Sequence, residues 1–160
     1  MANNMYVKFE GPEIAGGVTA AGHQGEIEIL SWSHGFAQPV SPTRSGGGGS
    51  VEQANHSNLS FTKYLDAATN ELLKYCWSGK QFRKVTLTCL RSDGPDDKPV
   101  TYLTVVMEHV VISNYSISGG AGDVPVENVS LDYGIVQYNY MDKKQPPMAA
   151  THDLQNHTVS

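Results

Sequence analysis

The sequence predicts a mainly β fold, a two-sheet antiparallel β-barrel with one packed α-helix. Three observations carry that prediction. Short alternating apolar segments, bounded by clusters of Gly, Pro, Asn and Asp, recur along the chain, the pattern of an antiparallel barrel or sandwich. One segment alone, about 66–78, has helical periodicity. Charged residues make up only 17% of the 160 residues, so much of the surface must be Ser, Thr, Asn, Gln and Gly. A chain of this length forms one ordinary domain with a core of its own.

Met5, Val7 and Phe9 alternate with Tyr6 and Lys8 as in a half-buried strand, which Glu10-Gly11-Pro12 ends. A loop rich in Gly and Ala follows, up to Gly25. The segment from Glu26 to Ala37 reads as a second strand with an irregular pattern. Ile27 and Ile29 lie on one face, and Leu30, Trp32, His34 and Phe36 on the other. Either both faces are covered or a bulge changes the phase near Leu30. An extended loop spans 38–57 and contains Arg44 and the run Gly46, Gly47, Gly48 and Gly49. A loop longer than about 12–15 residues is usually functional or disordered. Four glycines offer no side chains to pack, so mobility is expected there.

Asn58 to Leu65 returns to a strand pattern, with Leu59, Phe61 and Lys63 on one side. Asp66 suits an N-cap, and Gly79 suits the left-handed position that ends a helix. At about 100° per residue, Leu65, Ala68, Leu72 and Cys76 centre the apolar face. Tyr75 flanks that face on one side, Leu73 and Trp77 on the other. The arc is wider than one sheet requires. The Leu73/Trp77 side therefore either touches a neighbouring subunit or folds over the rim of its own barrel.

Four strands are expected after the helix, around 85–89, 102–107, 109–117 and 129–140. The domain is expected to span 1–141. From Asp142 the pattern stops, and 142–160 reads as a flexible polar tail.

The chain carries 11 Lys and Arg against 16 Asp and Glu, a net charge of −5, with no basic patch of the kind a nucleic-acid binder needs. No stretch approaches the roughly 18 apolar residues of a membrane-spanning helix. The first residues lack a basic segment followed by an apolar one. The expectation is a cytoplasmic protein that leaves the cell, if it does, without a cleavable signal. Cys76 and Cys89 read as buried thiols. No Gly-x-Ser-x-Gly elbow, phosphate loop or His-Glu-x-x-His motif occurs. The six histidines show no metal-ligand spacing, with His152 and His157 placed in the tail. No enzyme activity, cofactor or metal is expected, which leaves a structural or binding role.

Ser60-Phe61-Thr62-Lys63-Tyr64, followed by Asp66, Thr69, Leu72, Cys76 and Gly79, resembles the haemolysin-coregulated protein (Hcp) family, the tube proteins of bacterial type VI secretion systems. Ile29-Leu30-Ser31-Trp32-Ser33, the strand around Val110 to Ser113, and Glu127-Asn128-Val129-Ser130-Leu131 extend the likeness over about 5–140. The resemblance implies a homo-hexameric ring, rings that stack into an expelled tube, sheath and spike proteins as partners, and small effector proteins carried in the lumen. It implies that Ser31 and Ser33 face the lumen as effector-binding residues, and that 38–55 is the loop that reaches toward the next ring. Subunit or stacking contacts would then fall on Leu73, Trp77, Arg44 and the four glycines. The competing reading is a monomeric soluble β-barrel module that binds a sugar or small ligand.

Overall fold

The computed structural model describes residues 4–19, 22–38, 55–91, 99–141, 148–156 and 158–160. The strands are β1 (Asn4–Glu10), β2 (Ile27–Glu28), β3 (Ser31–Ser33), β4 (Phe36–Ala37), β5 (Asn55–His56), β6 (Leu59–Tyr64), β7 (Gln81–Arg91), β8 (Val100–Ser118), β9 (Val126–Asp132), β10 (Ile135–Tyr140), β11 (Met148–Asp153) and β12 (Thr158–Val159). One helix, α1 (Thr69–Ser78), separates β6 from β7. Among the described residues no helix is long and apolar enough to cross a membrane.

The strand β8 organises the molecule. One edge of its first part pairs with β7 and the other with β10, while its last part pairs with β9. The change falls at His109, whose φ of 56° is in the left-handed region. Opposite it, Tyr133 and Gly134 interrupt the line of β9 and β10, and the Gly134 N–H donates to the Glu108 carbonyl (3.0 Å). The sequence pattern suggested two strands around His109. The structure has one strand bent there, because the backbone absorbs the corner in a single residue. Two arms leave this spine. One runs β2-β1-β7-β8-β10-β11-β12, and the other runs β8-β9-β6-β3. All of these pairings are antiparallel.

The strand ladders do not form the closed barrel that the sequence suggested. Among the described residues β2 pairs with β1 and β3 with β6, and no ladder joins the two arms at that end. The chain itself passes between them. Ile29 N–H donates to the Met5 carbonyl (3.0 Å), and Leu30 N–H to the Thr62 carbonyl (2.7 Å). Ile27 and Ile29 are buried, Leu30 and Ser31 are both exposed, and Trp32 packs against the core, so the phase changes where the pattern indicated. Nearby, Gly16 lies so close to β2 that a Cβ there would sit 2.2 Å from the Glu26 carbonyl oxygen.

The core fills the space between the arms and under α1. Phe9, Ile27, Phe61, Leu72, Phe82 and Leu131 are fully enclosed. Phe82 meets Phe9 and Tyr75 edge-on, with centroids at 4.9 and 5.3 Å. Ala68 and Leu72 turn to the core as the helical period requires, and Gly79 ends the helix at φ 66°. The helix was expected from residue 66 but begins at Thr69. Asp66 instead holds the preceding turn, accepting from the Ala68 N–H (2.9 Å) while its own N–H donates to Thr69 Oγ1 (3.1 Å). Leu65 precedes that turn, falls out of helical phase and is 44% exposed.

One ion pair lies in the core with the apolar residues. Lys63 on β6 faces Glu127 on β9, and neither side chain is accessible to solvent. The Lys63 ammonium donates to Glu127 Oε2 and pairs with Asp66 Oδ1 at 2.9 Å. A flexible tail was expected from Asp142. Residues 142–147 lie outside the described residues, but Met148–Asp153 forms β11, which pairs with β10 from Ile135↔Asp153 to Tyr140↔Met148. The strand has no apolar alternation because it joins the sheet through its backbone, beyond the core.

Replacing Lys63 by Met strands a buried carboxylate and is expected to cost about 3–5 kcal/mol in chemical denaturation. The double variant K63M/E127L should recover most of that loss. A single-variant cost below about 1 kcal/mol would show that the pair does not hold the sheet.

A left-handed residue with a Cβ carries a penalty of roughly 1–2 kcal/mol. His109→Gly should therefore raise the unfolding midpoint, and His109→Val should lower it. Equal midpoints for the two variants would mean that the corner is not strained.

Candidate functional site: an uncharged sheet face

Strand alternation puts Trp32, Phe61, Val129 and Tyr115 on the core side of the second arm, where all four are buried or pack against the core. Their neighbours in sequence therefore share the opposite face. The register aligns these neighbours in two rows across β3, β6, β9 and β8. One row is Ser31, Thr62, Asn128 and Ser116, and the other is Ser33, Ser60, Ser130 and Asn114. All eight are exposed or half-buried, and none is charged.

The rows bond within themselves. Ser31 Oγ lies 2.6 Å from Thr62 Oγ1, and Ser60 Oγ lies 2.8 Å from Ser130 Oγ. At the edge, Asn58 Nδ2 donates to Ser113 Oγ (2.8 Å), whose hydroxyl donates to the Ser130 carbonyl (3.2 Å). These partners are hydroxyls, an amide and a carbonyl. None is a base that could activate a serine as a nucleophile. The face can give and take hydrogen bonds in either sense without attracting one sign of charge.

Beyond the first row the face carries Tyr64 opposite Val126 and, across from them, Ser118. The Leu65 N–H donates to the Pro125 carbonyl (3.0 Å), and Val124 is exposed, while Ile117, opposite Glu127, is exposed on the other side of β8. On α1, Trp77 is 79% exposed and Leu73 is half-buried, so Trp77 does not fold over the rim of its own subunit. Cys89 is buried, which pushes its thiol above the ordinary range, and Cys76 is half-buried. Arg44 and Gly46, Gly47, Gly48 and Gly49 lie outside the described residues.

Of the residues singled out in the sequence, Ser31 and Ser33 sit on this face. Leu73 and Trp77 sit on the helix and are not part of it. The other six members of the two rows escaped sequence reading. Each occupies an outward position of its strand, but only the register between strands brings them together.

Residues 6–140 match the family model for the type VI secretion system effector Hcp. Protein hcp1 of Pseudomonas aeruginosa is 36% identical over 145 residues, covering 90% of this chain and 86% of its own length. Hcp1 from Salmonella typhimurium is 27% identical, with a TM-score of 0.82 and full coverage of both chains. A structure described as a type six secretion system protein shares the fold, with a TM-score of 0.87 at 23% identity, and covers 99% of this chain and 100% of its own. This chain belongs to the Hcp family of the type VI secretion system.

Proposed function

We propose that this protein is the structural tube subunit of a type VI secretion system. Six copies close into a ring, rings stack into a hollow tube, and the tube is expelled with small effector proteins in its lumen. The observation that carries this reading is the pair of uncharged rows across four strands. A wall along which other proteins pass must hydrogen-bond with them without gripping either sign of charge. Ser31 and Ser33 are read as contact points for effectors within those rows.

The ring requires a contact that closes, and the stack requires a second contact that does not. Exposed Tyr64, Leu65, Ile117, Val124 and Trp77 supply apolar surface for joining subunits, with half-buried Leu73 one turn before Trp77 on the helix. Open strand edges also favour pairing with a neighbour. Arg44 and Gly46, Gly47, Gly48 and Gly49 are assigned to stacking, where an ordering cost would keep ring-on-ring contact weak in free solution. Sheath and spike proteins complete the partners. The subunit waits in the cytoplasm and is secreted on firing. Neither membrane insertion nor nucleic-acid binding is part of the mechanism.

Native mass spectrometry should give six times the chain mass. A monomer would instead favour a module that binds a sugar or small ligand. Ser33→Gln on the exposed face should change stability by no more than about 0.5 kcal/mol. It should keep the ring and reduce export of at least one effector. Normal export of every effector by that variant would remove Ser33 from the contact surface.

A further inference from the structure

Three histidines from distant parts of the chain meet two tyrosines near the corner of β8. His34 lies between β3 and β4, His56 ends β5, and His152 is in β11. Tyr133 lies between β9 and β10, and Tyr138 is in β10. His34 Nδ1 contacts the Tyr138 hydroxyl, and His34 Nε2 lies 2.7 Å from the Tyr133 hydroxyl. That same hydroxyl is 2.6 Å from His56 Nδ1, and His56 Nε2 is 2.6 Å from His152 Nδ1. The result is an unbroken chain: Tyr138, His34, Tyr133, His56, His152. Phe36 packs against both inner rings, with centroids 4.4 Å from His34 and 4.9 Å from His56.

The protons can be counted. With all three imidazoles neutral, Tyr138 donates to His34, His34 to Tyr133, Tyr133 to His56, and His56 to His152. Each of the four links then holds one proton. A first added proton is accommodated when part of the chain reverses direction and a tyrosine hydroxyl turns. A second is not. It either sets two N–H groups against each other at the His56–His152 link, or makes Tyr133 accept twice and leaves its own proton unplaced. A metal does not fit in its place. The 2.6 Å between His56 and His152 is too short for two nitrogens each about 2.0–2.1 Å from a tetrahedral ion.

The surroundings offer no counter-charge. Among the described residues no carboxylate oxygen lies within 4.0 Å of these ring nitrogens. Asp132 adjoins Tyr133 but accepts that residue's own N–H (3.0 Å). Asp153 adjoins His152, but its carboxyl is held below its ordinary range chiefly by the Asn156 N–H, with Gln155 and His109 adding to this. Glu108 and His109 of β8, which border the cluster at the corner, are both exposed. Burial pushes His34 down to about 4, reinforced by His56, and it also lowers His56, reinforced by His152. Burial raises Tyr138 to about 12 and lifts Tyr133 as well, so both stay protonated donors.

We propose that this histidine–tyrosine chain is an acid-released latch. At neutral pH it fastens the β4–β5 hairpin to the body of the subunit and adds a side-chain tie to strand β11, which its ladder to β10 also holds, and it loosens both on taking up a second proton. The hairpin is a separate two-stranded sheet with no ladder to the main one. The side-chain links of His34 and His56 therefore carry much of its attachment. The direction of the pH effect follows from linkage. The fastened state has depressed histidine values, so it binds fewer protons than an opened state whose imidazoles titrate near 6.5. The latch is complete above about pH 6.5 and weakens as pH falls toward 4. None of this depends on the tube reading.

Hydrogen exchange of the full-length protein at pH 7.5 and 5.0, corrected for intrinsic rates, tests the latch. Opening of β11 and of residues 55–57 should rise about tenfold per pH unit below 6.5 for each proton taken up, while β7 and β9 stay protected. The H34Q/H56Q variant keeps a donor and an acceptor at each site but cannot titrate, so its β11 should remain protected at pH 5.0. Imidazole nitrogen NMR of the unaltered protein provides an independent reading, with His34 neutral down to pH 5 and His56 titrating below the ordinary imidazole range. The proposal is overturned by equal β11 protection at both pH values, by an undiminished acid response in the double variant, or by titration of both rings near 6.5. If the double variant does not fold, the exchange and NMR data on the unaltered protein decide alone.

Discussion

A single buried ammonium, that of Lys63, holds the second arm in place. Apolar alternation tells each strand which face goes inward, and a slip by one residue would turn Phe61 and Val129 outward. Alternation says nothing against a slip by two, which keeps every face correct. The ion pair does discriminate. Displaced by two residues, Lys63 would lie opposite Val129 or Pro125 and keep only Asp66, and the buried Glu127 carboxylate would be left without its cation. Such a pair contributes little net stability, because desolvation consumes most of the Coulomb gain. Its effect here is on register. Asp66 extends that effect to the helix, since the same carboxylate accepts from the turn before α1 and pairs with Lys63.

The two polar rows follow from that register. Ser60 meets Ser130, and Thr62 meets Asn128, only when Lys63 meets Glu127. The corner at His109 matters for a related reason. It separates the part of β8 that pairs with β10 from the part that pairs with β9, the strand that carries half of both rows' register. The uncharged face and the histidine–tyrosine chain adjoin, since Ser33 belongs to one row and His34, the next residue, to the chain.

Local signals made much of this fold legible. The helix, its buried Ala68 and Leu72, its end at Gly79, the side taken by Lys63 and the phase change at Leu30 could all be read from near neighbours. What could not be read depends on distant partners. Two strands were expected around His109 because its neighbours look like a boundary, whereas the structure bends one strand there. Met148–Asp153 lacks alternation and so reads as tail, yet a strand can join a sheet through backbone bonds alone. Ser31 and Ser33 were found through resemblance, but their six companions required the register. His34, His56 and His152 share no spacing that would connect them, since the fold brings together residues more than a hundred positions apart.

In the proposed tube, the absence of charge from the rows determines how cargo could be held. A charged wall acts at a distance, up to about 8 Å at physiological salt, and would select or retain passengers by sign. Hydroxyls and amides act only on contact. Each of their hydrogen bonds replaces one to water, for a net gain of about 0.5–1.5 kcal/mol. A single subunit would therefore bind weakly. A ring multiplies the same face around one axis, and a passenger touching several copies gains from their effective concentration. Retention would then belong to the assembly, and a ring that comes apart would lose its grip without any change in an individual contact.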